Sequence, residues 1–208
     1  VFISGAFGKL SMGGNDSAAQ SAVGHLAGVG YVGVGDINET FDETGTTYIS
    51  SGDRANALYS YSASGFTGYL SVGQPGNGED TYSLGAVYAT DMFSVAVGYE
   101  DADSAGTLLD RTQTSVAASA TFSGVTVKAL YATRDTAGFD PETYGLSAVY
   151  TMDAISVTGF YRQAETSATN TSYFQGIGAS YALGGGATLA GGIANNDGQT
   201  LADVGVNF

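Results

Sequence analysis

The sequence predicts an all-β protein, a transmembrane antiparallel β-barrel with one long loop folded into its lumen. Three observations carry that prediction. After residue 55 the chain is a succession of short segments in which apolar residues alternate with small or polar ones. The joints between these segments alternate between very short and longer polar ones, and aromatic rings recur at a fixed separation on the apolar side. Alternation with a period of two gives a strand two chemically different faces. Short turns at one end and longer loops at the other are the layout of outer-membrane barrels.

Composition sets the outer bounds. The 208 residues suit a single β domain, read here as 1–208. The 32 Gly, 14 Tyr and 10 Phe, beside 2 Pro and no Trp, favour strands joined by tight turns. There is no Cys, hence no disulfide framework. Twenty acidic residues against six basic ones give a net charge of −14. That excludes nucleic acid as a partner, because six basic side chains cannot neutralise a phosphate backbone; cations or a cation-bridged surface suit it better. No apolar run reaches the ~18 residues of a spanning helix, which excludes helical membrane proteins and leaves barrels open.

Taken in order, Val1 to Ser4 reads as a strand entered partway, with nothing at Val1 that looks like a signal peptide. Gly5-Ala6-Phe7-Gly8 is a tight turn, and Lys9 to Met12 begins the return strand. Residues 13–55 then break the pattern, with no sustained alternation. A connection of that length inside a compact domain is expected only where it has a function. Within it, Asp16 or Ser17 caps a short helix, Gln20 completes a capping box, Ala18, Ala19, Ala22 and Val23 propagate it, and Gly24 or Gly28 ends it.

Strands follow near 56–62, 65–73, 80–90, 93–101, 111–122, 124–133, 142–151, 154–162, 172–182, 186–194 and 200–208. The short joints are at 63–64, 91–92, 123, 152–153 and 184–185; the longer ones are 74–79, 102–110, 134–141, 163–171 and 195–199. Alternation is clearest in Phe93-Ser94-Val95-Ala96-Val97-Gly98-Tyr99, where Phe93, Val95, Val97 and Tyr99 form one face. The pairs Tyr82 and Tyr88, Phe93 and Tyr99, and Tyr144 and Tyr150 each lie six residues apart near strand ends, on the apolar face. Six residues span about 20 Å of strand, so these rings would flank an apolar band as the two aromatic girdles of a membrane barrel do. A soluble or surface-anchored β-sandwich binding protein, the alternative from another class, has no reason to hold rings at one separation.

Two strands before the long loop and eleven after it make thirteen, whereas bacterial barrels close with an even number. Strands preceding Val1 are therefore expected. The opening Val1-Phe2-Ile3-Ser4-Gly5-Ala6-Phe7-Gly8-Lys9-Leu10-Ser11-Met12-Gly13 resembles the strand–turn–strand ahead of the constriction loop in general diffusion porins of purple photosynthetic bacteria. Residues 179–187 and 191–197 resemble that family's closing strands, and Val204-Gly205-Val206-Asn207-Phe208 ends on the terminal Phe of outer-membrane barrels. The resemblance implies a sixteen-stranded homotrimer in the bacterial outer membrane, in contact with its lipid and lipopolysaccharide, whose third outer loop narrows the pore. With Lys9 in strand five, about three strands, on the order of 80–100 residues, would precede the sequence.

The residues that would set the passage are the loop acids Asp36, Glu39, Asp42, Glu43 and Asp53, with Arg54 beside them. An acidic wall raises the local cation concentration, and facing bases create a transverse field. Lys9, Lys128 and Arg162 alternate with outward residues and so are expected on the lumen side; mid-strand exposure of Lys128 to lipid would cost roughly 2–4 kcal/mol. Calcium is the cofactor that Glu100, Asp101, Asp103 and Asp110 around one outer loop would suit, since hard cations take several carboxylate oxygens; passive diffusion requires none. The single His25 comes with no nucleophile elbow and no zinc spacing, and Gly184-Gly185-Gly186 is a turn, not a phosphate loop. Nothing points to an enzyme. The expectation is a passive channel for ions and small hydrophilic solutes, or else a substrate-selective channel on the same barrel with its site in the long loop.

Overall fold

Thirteen strands follow one another in space as they do in the chain, each antiparallel to the next. They are β1 (Phe2–Gly5), β2 (Gly8–Gly14), β3 (Ala55–Ala63), β4 (Phe66–Gly76), β5 (Glu79–Ala89), β6 (Phe93–Ser104), β7 (Arg111–Phe122), β8 (Val125–Thr136), β9 (Glu142–Met152), β10 (Ile155–Ser167), β11 (Asn170–Gly184), β12 (Ala187–Asn196) and β13 (Gln199–Asn207). One short helix, α1 (Ala18–Val23), lies between β2 and β3. The computed structural model describes residues 1–34, 37–39, 55–76, 79–104, 110–136 and 139–208. A single continuous sheet replaces the two facing sheets that a sandwich would need.

The turns explain the meander. Ser64-Gly65 and Ser123-Gly124 are two-residue connections with φ of 51° and 83°, and 47° and 79°. Positive φ at both central positions matches the right-handed twist of paired strands. Asp197-Gly198 does the same at the opposite end, with φ of 46° and 94°. The strands run further on the long-loop side than alternation alone predicts. The expected loop 163–171 is mostly ladder, since β10 reaches Ser167 and β11 starts at Asn170. Residues there are polar on both sides, so the apolar count fades while the hairpin pairing continues.

The two faces of the sheet are chemically inverted relative to a soluble protein. Along β8, Lys128, Leu130, Ala132 and Arg134 point one way, the last three buried, while Ala129 and Tyr131 are exposed on the other side. Leu84, Val97, Leu146, Ile177 and Ile193 all stand exposed on the convex face. A contiguous apolar exterior of that extent is incompatible with water and fits hydrocarbon. The aromatic rings border it. Phe66, Tyr88 and Phe93 adjoin one another across three strands at the short-turn end, with centroids 4.6 and 6.0 Å apart. Tyr131 faces Tyr144 in register toward the other end, the side where Tyr82 and Tyr99 also lie on the outward face; Tyr150 pairs with Val125 near the short turns. Phe208 follows Val204 and Val206 in outward parity and is almost fully exposed.

The buried apolar residues belong to the contact between the loop and the wall. Val29, Val34 and Ile37 of the loop pack with Phe160, Ala164, Phe174 and Ala194 of the strands. Val23 and Leu26 pack with Leu130. The core of this chain is therefore the seam along which the loop is attached.

Candidate functional site: the inward-folded loop

The loop enters at Asn15, whose Nδ2 donates to Asn56 Oδ1 (3.0 Å) on β3, while Asn56 Nδ2 donates back to Asn15 O (2.6 Å). Ser17 caps α1 as expected, accepting from Gln20 N at 3.1 Å. The Gln20 side chain does not reach back toward the cap as a capping box requires; it is turned to His25, 3.3 Å away. The first amides of a helix lack partners within it, and here the wall supplies them. Ala18 N donates to Ser71 Oγ (2.9 Å) on β4 and Ala19 N to Ser83 Oγ (2.8 Å) on β5. At the other helix end, Lys128 Nζ on β8 donates to Val23 O at 2.6 Å, a cation placed where free carbonyls favour one.

Beyond α1 the chain crosses the remaining strands in sequence. Ala27 N donates to Ser147 Oγ (3.0 Å) on β9. Val29 lies against Gly176 and Gly178 of β11, and Gly30 against Gly192 of β12. Tyr31 N and Val32 N donate to the Asp203 carboxylate on β13 at 2.8–2.9 Å. The chain then turns through Gly33 and Val34, both at positive φ, and runs back. On the return, Arg162 Nε of β10 donates to Ile37 O (2.9 Å), and Asn38 Nδ2 donates to Leu26 O (2.6 Å). Glu39 Oε1 sits 3.8 Å from His25 Nε2, an ion pair when the imidazole is protonated. The loop thus touches strands from β3 to β13, which is possible only if the sheet curves round it. The loop lies on the concave face of a barrel wall.

Close approach demands small wall residues. A Cβ added at Gly85 would meet Ala18 O, and one at Gly192 would stand 2.6 Å from Gly30 N. Hydroxyls and glycines therefore form the track where the backbone comes closest, and Leu130, Phe160 and Phe174 fill the gaps between.

The profile of the Gram-negative porin family matches residues 1–201. A porin of Rhodobacter capsulatus is 35% identical over 239 residues, covering 100% of this chain and 79% of that protein. The chain belongs to the Gram-negative porins. A solved porin structure, refined at 1.8 Å, superposes with a TM-score of 0.83 at 32% identity, covering 99% of this chain and 78% of that one. A triple mutant of Rhodopseudomonas blastica porin superposes with a TM-score of 0.73 at 25% identity, covering 99% and 74%. The purple-bacterial resemblance of the two ends of the sequence is thereby confirmed, as is the location in the outer membrane.

Within this porin, the expected site residues divide. Glu39 is on the return limb of the loop and partly exposed. Asp36, Asp42, Glu43, Asp53 and Arg54 lie outside the described residues. Lys9 shares the inward face with Ser11 and Asn56, its Nζ 4.7 Å from the Phe2 ring centre. Lys128 and Arg162 point inward, yet they meet the back of the loop. Arg162 has 0% exposure, its guanidinium 4.0 Å from the Phe174 ring centre. A side chain so covered serves as an anchor and cannot line water, which corrects the expectation of a facing electrode. The four outer-loop carboxylates do not share one face: Asp103 is near Asp101 and Asp110, while Glu100 lies on the other side. Glu100 is buried and inward, while Asp101 and Asp103 follow Tyr99 on the opposite face and Asp110 is exposed. Among the described residues, no three His, Cys, Asp or Glu side chains come together as a metal site would need.

Three wall residues, Gln113, Arg134 and Asp203, went unmarked by sequence reasoning, and Glu100 was marked only for calcium. Glu100, Gln113 and Arg134 are neighbours in register across β6, β7 and β8, all buried on the inward face. Arg134 Nη2 donates to Gln113 Oε1 at 3.0 Å. The parity of Lys128 reaches Arg134 once strand 124–133 is drawn one residue longer, and the parity of Tyr99, inside the expected strand 93–101, already excludes Glu100 from the outer face. Asp203 is the third: it alternates with the outward Ala202 and Val204.

Proposed function

We infer that this porin carries ions and small hydrophilic solutes by passive diffusion through a water-filled lumen narrowed by loop 13–55, with the acidic side of that loop favouring cations. The observation that carries the reading is the loop's course along the concave face, hydrogen-bonded to the wall from Asn56 on β3 to Asp203 on β13. The charge distribution supports the preference. Lys128 and Arg162 are engaged with carbonyls behind the loop, so their charge is withdrawn from the passage, whereas Glu39 keeps exposed surface. Acidic groups at a constriction enrich cations locally. A homotrimer surrounded by lipopolysaccharide is the assembly that the family resemblance supports.

The test is electrical. Asp36, Glu39, Asp42 and Glu43 are changed together to their amides, and the reversal potential is measured in a salt gradient across a planar bilayer. The expected outcome is a shift toward zero as cation preference declines. A reversal potential equal to that of the parent protein removes these acids from the passage.

A further inference from the structure

At the turn of the loop only Val34 is buried against the wall. Tyr31 and Val32 keep substantial exposed surface, and the chain reverses immediately after them through Gly33 and Val34. One side chain of the wall holds that turn. Both carboxylate oxygens of Asp203 accept from Tyr31 N at 2.9 Å, and Oδ2 also accepts from Val32 N at 2.8 Å. The surroundings are shaped for this grip. Asp203 is paired in register with Gly192, on which Gly30 rests, and the Tyr31 ring lies over Gly205. Gly30 has φ of 87°, and any Cβ there would collide with the Asp203 carboxylate. An acid inside a membrane-crossing strand needs such partners, and two backbone amides at one carboxylate are charge-assisted bonds, stronger than neutral ones.

From this arrangement we propose that Asp203 is a positioning residue for the constriction: it clasps the loop's turn to β13 and keeps the exposed residues Tyr31 and Val32 off the axis of the lumen. The proposal rests on the reading that the loop sets the passage. With the clasp gone, Tyr31 and Val32 keep only the packing of Val34 and of the Tyr31 ring beside them, and they swing into the lumen, where they interrupt current. The carboxylate suits both amides, because Oδ2 accepts from both while Oδ1 shares the Tyr31 N–H; an amide in its place keeps one acceptor oxygen and turns an N–H₂ toward the Tyr31 amide.

The experiment compares the parent protein with D203A, D203N and D203E in planar bilayers at fixed voltage, with folding checked by the heat-dependent electrophoretic shift of the barrel. The expected result for D203A is closing events at least about tenfold more frequent, as loss of charge-assisted bonds to two amides implies. D203N is expected to fall between D203A and the parent, and D203E to restore most of the quiet open state, with the electrophoretic shift unchanged in all. Closing events in D203A at the parent's frequency overturn the clasp, as does a D203E variant no quieter than D203A. The two readings fail separately. If the loop acids alter the reversal potential and D203A is silent, the clasp alone is wrong. If neither set changes any current, the constriction itself is wrong and the clasp falls with it.

Discussion

Arg162 shows how a single charge can be made structural inside a porin. Its guanidinium has no exposed surface, lies on the face of Phe174, and sends Nε to Ile37 O. A hydrogen bond from a charged donor contributes about 1.5–3 kcal/mol, and a desolvated cation over an aromatic face about 0.5–2 kcal/mol. R162A is therefore expected to destabilise the folded protein by about 2–5 kcal/mol in urea titrations in lipid vesicles. R162K should recover less than half of this, since an ammonium cannot stack flat on the ring while reaching the same carbonyl. That Arg162 faces inward was legible from its alternation with Tyr161. That it is sealed beneath the loop was not, because alternation reports the side of a sheet and says nothing of what lies against it.

At the scale of the element, the loop is a strap whose shape is set by the wall beneath it. Its helix is only six residues long, too short to persist alone, and its amides are completed by Ser71 and Ser83. Beyond the helix, residues 26–34 form neither helix nor strand and rest in part on glycines of the wall. Gly192→Val should overpack that contact at a cost of about 1–3 kcal/mol, lifting Gly30 from β12. Single-channel conductance is the readout and is expected to fall, since the displaced chain has only the lumen to enter. Gly68→Ala is the control: a Cβ there meets nothing within 4 Å, so conductance should match the parent. The start of the helix was legible because Ser17 and the alanines after it form a local signal. The path of residues 26–34 was not, because its determinants are small residues scattered over strands far along the chain.

Across the whole molecule, charge and bulk are sorted by face. Lys9, Arg111, Lys128, Arg134 and Arg162, five of the six basic residues, lie on the inward side, and Arg54 lies outside the described residues. The outward face carries Leu84, Val97 and Leu146 between its two rows of rings. V97K places a cation near the middle of that band and should cost roughly 2–4 kcal/mol in the same urea titrations. The strand succession and the two faces were legible because both follow from a period of two. The strand ends were less so, since the hairpins outlast the apolar pattern, and that shortfall hid Arg134; Glu100 was misplaced because it was grouped by charge with the loop acids beside it.

The order in which the strap meets the wall has a bearing on assembly. Its partners grow steadily more remote along the polypeptide: 41 residues for Asn15 with Asn56, 53 for Ala18 with Ser71, 105 for Val23 with Lys128, 120 for Ala27 with Ser147, and 172 for Tyr31 with Asp203. Each fastening presupposes the hairpins already laid down before it, because closing a long stretch of chain is costly until the intervening pairs have shortened it. The bore is thus not set until β13 is in place, and a nascent wall lacking that strand holds an unsecured strap.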